Sequence, residues 1–329
     1  MMWIVLIGIG AGVTSALLFA ALASGQAFAV GLFYLTPLPI MLAGLAWSWI
    51  AAAVAAVVAA LLLGAFLGGW FVLAFLIGIG FPAVTLSYLA LLARPAGNGG
   101  GEQLDWYPPG RIVLAGALVA ATATALTIPA FGTDLDGYRA TLKIAFERVL
   151  RAQTATPAEQ PLNLPGTQDT GTLLDFLTVV MPPAAAVLTM VTSFGNLWLA
   201  GRVARASSRL ARPWPDLGAM RFPSRAPLLL AAALAGTFLP GIAGVVAALF
   251  GATLLLAYAI LGLAVIHGAS RAMPARTIIL AAVWLAVFVL GWPLLLAAML
   301  GLADSFIDLR ARAARGGPTN LPTHKPPNE

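Results

Sequence analysis

Residues 1–93 open with MMWIVLIGIG (1–10), AGVTSALLFA (11–20), ALASGQAFAV (21–30) and GLFYLTPLPI (31–40). They run through five more blocks of this kind to LLA (91–93), without a single Asp, Glu, Lys, Arg or His. No aqueous fold hides so long an uncharged run. At about 20 residues per crossing it holds about four membrane helices joined by tight turns. The spacing places them near 3–24, 27–45, 47–67 and 69–92, with joints at Ser24-Gly25-Gln26, around Gly44–Ser48 and at Gly68-Gly69. In lipid every backbone group must bond within the protein, so these spans are helical. Short alternating segments of the kind that build a membrane β-barrel are missing.

The rest of the chain agrees. Of 329 residues, 60% are hydrophobic and 9% charged, and the mean hydropathy is +0.94. Soluble domains run at roughly 45–50% apolar and about 25% charged, so that class is excluded, together with disordered, collagen-like and disulfide-scaffold chains. There is no cysteine, which removes disulfides, thiolate catalysis and Cys-based metal sites. The net charge of +6 comes mainly from arginines in the connecting segments. That is the pattern of membrane orientation, and it implies no nucleic-acid partner.

From Arg94 to Arg111 runs a polar connector with a glycine-rich stretch at 97–101, read as flexible, and Trp106 and Tyr107 suit the membrane interface. A fifth span is expected at 111–131. The long polar stretch 132–172 follows, where Leu142, Ala145, Phe146, Val149 and Leu150 fall on one helical face. Residues 140–152 therefore read as an amphipathic helix on the membrane surface. A sixth span is placed at 173–200, with Pro182-Pro183 near its start. Further spans are placed at 227–247, 249–267 and 278–303, and 310–329 reads as a disordered basic tail. The fold class expected is all-α: one polytopic helical bundle over 1–309, with eight to ten membrane segments and nine preferred.

Ten Lys and Arg in 94–111, 201–226 and 268–276 define the cytoplasmic side, against four in 132–172. Three spans after residue 226 would leave the tail outside, although it carries four basic residues. Either the last stretch turns back at Gly291-Trp292-Pro293 or the charge rule fails for the tail.

Small residues let helices approach closely in lipid. Gly8, Gly12, Ala16, Ala20 and Ser24 form one stripe on the first helix, and Ala52, Ala56, Ala60, Gly64 and Gly68 form another on the third. Both suit packing within the chain, and the first is also a candidate docking face for a partner. The span interiors lack ionisable groups, which disfavours proton-coupled transport and charged-ring channels. They do offer Gln26, Tyr34, Thr36, Tyr88, Thr192, Ser193 and Asn196, near backbone loosened by Pro37 and Pro39. Such groups either bond neighbouring helices or line a site for a neutral ligand. Gln26, Tyr34, Thr36, Tyr88 and Asn196 are the ligand-binding candidates. No catalytic residue, cofactor or metal site is expected. Asp134-Leu135-Asp136 reads as a solvated turn, and Asp304 and Asp308 read as an ion-paired helix end.

Several local runs carry a resemblance. They are Leu38-Pro39 after the small-residue first helix, Arg221-Phe222-Pro223, Gly262-Leu263-Ala264-Val265-Ile266, and Leu300-Gly301-Leu302-Ala303-Asp304 leading to Asp308-Leu309-Arg310. Together they resemble the YybS-like family of bacterial predicted membrane proteins, a domain of unknown function. That family is distantly similar to the substrate-binding S subunits of energy-coupling-factor transporters and to the cell-shape protein MreD. The S-subunit likeness implies that Gly8, Gly12, Ala16 and Ala20 dock on a coupling subunit. The expectation is a non-enzymatic protein of the bacterial inner membrane. It would bind a small solute, contact membrane lipids, and draw energy from a coupling subunit with a separate ATPase, or else form a homo-oligomer. The alternative is a structural scaffold of the cell envelope.

Overall fold

Runs of Ala, Leu, Val and Gly give the backbone no side-chain competitor for its own hydrogen bonds, and most of the described residues are helical. A computed structural model describes residues 1–96, 104–157, 160, 162, 169–307, 309 and 310. The helices are α1 Met2–Ala20, α2 Ala27–Tyr34, α3 Pro37–Ala46, α4 Trp49–Leu67, α5 Trp70–Phe75, α6 Phe81–Leu91 and α7 Pro109–Ala125. There follow α8 Leu135–Thr154, α9 Thr170–Ala206, α10 Ala226–Gly236, α11 Ile242–Ala269, α12 Arg276–Leu290 and α13 Pro293–Ile307. Among the described residues, seven helical segments are long and apolar enough to cross a membrane: 2–24, 27–46, 49–67, 70–91, 109–130, 170–206 and 242–269. Helices α10, α12 and α13 are apolar but shorter.

Contacts group the chain into two compact units. The first comprises Met1–Pro215 with Phe222–Ala257, and the second Asp216–Arg221 with the chain from Tyr258 onward. In the first unit α1 lies along α4, and α3 packs on α4, α6 and α9. Its core is mostly alanine, with Ile40, Met41, Leu63, Phe75 and Leu86 as the larger members. Alanine allows close backbones, and Phe19 fills the remaining gap edge-on to Phe71 and Phe75. Between α5 and α6 the helix widens into a π turn, Leu76–Gly80, in which the Phe81 amide bonds the Leu76 carbonyl. Pro82 accounts for it, because its ring would clash with the carbonyl four residues back.

Several sequence expectations change. The connector after α6 is not wholly irregular. Strands β1 Ala93–Pro95 and β2 Leu104–Trp106 pair antiparallel, with Arg94 opposite Asp105 and bonded to it at 2.8 Å. The glycine-rich segment 97–103 lies outside the described residues. The amphipathic helix is longer than 140–152, because Asp134 caps it at the Gly137 amide (2.8 Å). Its apolar face rests on protein: Tyr138 and Leu142 are buried with Ala121, Ile128, Ala186 and Leu249. Helix α9 runs 37 residues, about 55 Å at 1.5 Å per residue, well beyond the roughly 30 Å of hydrocarbon. Pro182 and Pro183 therefore fall inside it, and Asp169 caps its start.

The region read as spans 227–247 and 249–267 divides elsewhere. Thr237 to Gly241 makes the turn, with Pro240 unable to donate and Gly241 at φ +70°, so one short helix precedes one of 28 residues. The last apolar stretch breaks at Gly291-Trp292-Pro293, where Gly291 has φ +71° and Pro293 starts a new helix. Residues 311–329 of the expected tail lie outside the described residues.

Candidate functional site

The second apolar segment is two helices. Pro37 and Pro39 lack amide hydrogens, so the ladder between α2 and α3 shortens to Thr36 N–H on Phe33 O (3.1 Å) and Leu38 N–H on Leu35 O (3.0 Å). Backbone carbonyls freed inside an apolar bundle need donors. Asn196 of α9 supplies one: its Nδ2 donates to Tyr34 O at 2.8 Å and to Thr192 O at 2.8 Å. Ser15 of α1 supplies the other, donating from Oγ to Thr36 O at 2.7 Å. Four helices, α1, α2, α3 and α9, thus meet at one break.

Two atoms of this knot lack hydrogen-bond partners among the described residues. Thr36 Oγ1 and Asn196 Oδ1 are both buried, one able to donate and the other to accept. Ser15 and Thr36 are 0% exposed and Asn196 4%. The arrangement is neutral and closed. An unsatisfied buried polar atom costs about 1–3 kcal/mol, so a small molecule offering both a donor and an acceptor would gain by entering.

Of the residues singled out from sequence, Tyr34, Thr36 and Asn196 come together, with Tyr34 contributing its carbonyl rather than its exposed ring. Gln26 and Tyr88 do not join them. Gln26 is exposed at the start of α2, and Tyr88 stacks edge-on with Trp49, centroids 6.2 Å apart. The stripe on α1 faces α4. A Cβ on Gly8 would stand 2.8 Å from Ala51 O, and one on Gly12 2.7 Å from Ala55 O. Ala16 is 7% exposed and Ala20 half-buried. That face is filled within the chain.

Two other clusters stand out, the first not indicated by residue spacing and the second read from sequence as an ion-paired helix end. On the arginine-rich end of the first unit, Arg202 and Arg205 both lie over the Trp214 ring, at 6.0 and 5.5 Å from its centroid. Arg202 also lies over Trp198 at 5.8 Å, and Arg209 over Trp47 at 5.1 Å. Arg212 is buried and donates to Ala90 O at 3.0 Å, capping α6, and burial lowers its pKa. In the second unit, Asp304 of α13 is buried and bonded to Arg310 at 2.7 Å, while Arg310 also donates to Gly218 O at 2.9 Å. Asp304 Oδ1 and Arg310 Nε have no hydrogen-bond partner among the described residues. Close approach of α11 and α13 through Gly262 and Gly301 brings Ala297 and Tyr258 backbone against these glycines. The sequence signal for this cluster was the pair of glycines, each with an apolar run on either side. Nearby, Asp216 pairs with Arg271, whose hydrogen bond holds the Asp216 carboxyl below its usual range. His267 turns its Nδ1 to Leu263 O at 2.9 Å. Asp308 and His324 lie outside the described residues.

Residues 12–305 match a protein-family model described as predicted membrane protein (DUF2232). No curated protein and no solved structure matches the chain.

Proposed function

The chain belongs to the DUF2232 family of predicted membrane proteins, and from that premise we propose that it is a non-enzymatic component of the bacterial inner membrane that binds a small neutral polar solute at the break between α2 and α3. The observation that carries this reading is the pair of buried, unpartnered atoms at one helix break, Thr36 Oγ1 and Asn196 Oδ1. Discontinuous helices gather substrate sites in transporters because their freed backbone groups need partners. Here Asn196 and Ser15 occupy the carbonyls, and a hydroxyl and an amide oxygen remain for a ligand. Because the knot is closed, entry requires α2 to move relative to α9. The sequence holds no phosphate loop, so directed movement of a solute would draw on a partner carrying the ATPase. The arginine-bearing ends would face the cytoplasm.

Mass spectrometry of small molecules retained by the full-length protein in mild detergent tests the reading. A polar solute is expected with the unaltered protein. Thr36→Val keeps the shape and removes the hydroxyl, and it is expected to cut retention at least about tenfold, the value of one good hydrogen bond. If no small molecule accompanies the protein, or Thr36→Val retains it equally, the reading fails.

A further inference from the structure

Helix α9 has two faces. Leu174, Thr178, Pro182, Ala186, Met190, Ser193, Asn196, Ala200 and Ala204 make the buried one, recurring every three or four residues. On the opposite side, at the same helical spacing, stand Leu188, Val191, Gly195, Trp198, Arg202 and Arg205. This outer line is exposed: Leu188 46%, Val191 50% and Trp198 54%. Leu188 and Val191 of this line border an open groove of about 560 Å³, which continues along α9 to Val179 and also touches Ala252.

The cationic end is built. Gly201 lets Trp214 approach the helix, its ring carbon 3.4 Å from where a Cβ would be. The ring then holds Arg202 and Arg205 within 6.0 Å of its centroid. Two like charges are drawn to one ring, Arg209 lies over Trp47, and among the described residues none of the three meets a carboxylate. Arg212 is 8% exposed, and its Nε has no hydrogen-bond partner among the described residues. Planar guanidinium forks match the oxygens of a phosphate. Indole rings sit at the boundary between headgroups and hydrocarbon. From Trp198 to Leu188 is ten residues, about 15 Å, the depth of one leaflet of a roughly 30 Å hydrocarbon core. Gly195, with nothing within 4 Å, leaves the path between them smooth.

We propose that this face of α9 seats one anionic phospholipid, its phosphodiester on Arg202 and Arg205 and one acyl chain lying past Gly195 onto Val191 and Leu188. The site is separate from the neutral knot, since it uses the opposite face of the helix. The cations also suit the negative end of the α9 dipole. That role needs no lipid and predicts no preference among lipids.

The test is native mass spectrometry of the full-length protein in detergent with equal amounts of phosphatidylglycerol and phosphatidylcholine of matched chains. Phosphatidylglycerol adducts are expected to dominate about tenfold, as two cation contacts with an anionic headgroup imply. Arg202→Gln with Arg205→Gln should bring the two lipids to parity. Arg139→Gln with Arg148→Gln, the same charge removed from α8, should leave the preference intact. Equal loss in both double variants reduces the effect to general charge attraction and overturns the proposal. Competition by millimolar inorganic phosphate with equal effect would reassign the site to free phosphate and overturn the lipid. The unaltered protein supplies a readout independent of variant folding: phosphatidylglycerol with a photoreactive acyl chain should label 188–198. Labelling spread evenly over other helices overturns the seat on α9.

Discussion

At the break between α2 and α3, neutral donors from Asn196 and Ser15 satisfy the released carbonyls, whereas in the second unit Asp304 faces Arg310 as a buried ion pair. Both clusters contain buried atoms without partners, but the consequences differ in size. An amide or hydroxyl loses modest hydration on burial, and removing its partner costs one hydrogen bond. A carboxylate loses far more hydration, and its guanidinium partner is what keeps it tolerable. The neutral knot can open for a solute at small cost. The ionic one acts as a lock.

The largest effect expected is at the lock. Asp304→Leu leaves Arg310 buried without its anion and should lower unfolding stability by about 3–5 kcal/mol, measured by chemical denaturation in detergent. Adding Arg310→Met should recover most of that loss. A double variant as unstable as the single one would mean the pair is not the lock. At the knot, Asn196→Leu strands the Tyr34 carbonyl and should cost about 1–3 kcal/mol by the same measurement. A loss as large as that at Asp304 would erase the contrast. Thr36→Val, in protein stripped of small molecules, removes a hydroxyl that has no partner. It should raise stability by up to about 1 kcal/mol, seen as a higher melting temperature.

The smallest effect concerns pH. The Asp216 carboxyl is held below its ordinary range by its hydrogen bond from Arg271, so the folded pKa lies below the unfolded one. Its stabilisation is then fully present above the usual aspartate pKa of about 4 and fades as pH falls through the lowered value. Melting temperatures of the unaltered protein and of Asp216→Asn should differ slightly at pH 7 and converge in strong acid. A gap that widens on acidification would reverse the sign.

Much of this was legible in the sequence because the forces concerned act locally. The uncharged run to Ala93 announces membrane helices by composition. Pro37 and Pro39 mark loosened backbone, and Thr36 and Asn196 are readable as polar groups in apolar surroundings. Their meeting was not readable, for Asn196 reaches Tyr34 across 162 residues. Gln26 and Tyr88 carry the same kind of local signal and lie elsewhere, since residue type does not say which neighbour a side chain meets. The break at 237–241 was missed because Ala248 and Pro240-Gly241 lie in one continuous apolar run, where hydropathy has no contrast to locate a turn. Asp304 was readable as an ion-paired helix end, and Arg310 pairs with it; what the sequence did not show is that the pair is buried, the Arg310 and Asp304 side chains being 11% and 4% exposed.

Sequence alone determined the solvent of this chain, its helical character and its want of cysteine, because apolar content and backbone bonding in lipid depend on each segment by itself. Tertiary structure decided which polar atoms are shared, which are left over, and which face of α9 remains open. Those outcomes depend on where distant helices cross, and crossing is set by packing summed over many small contacts that no single segment contains.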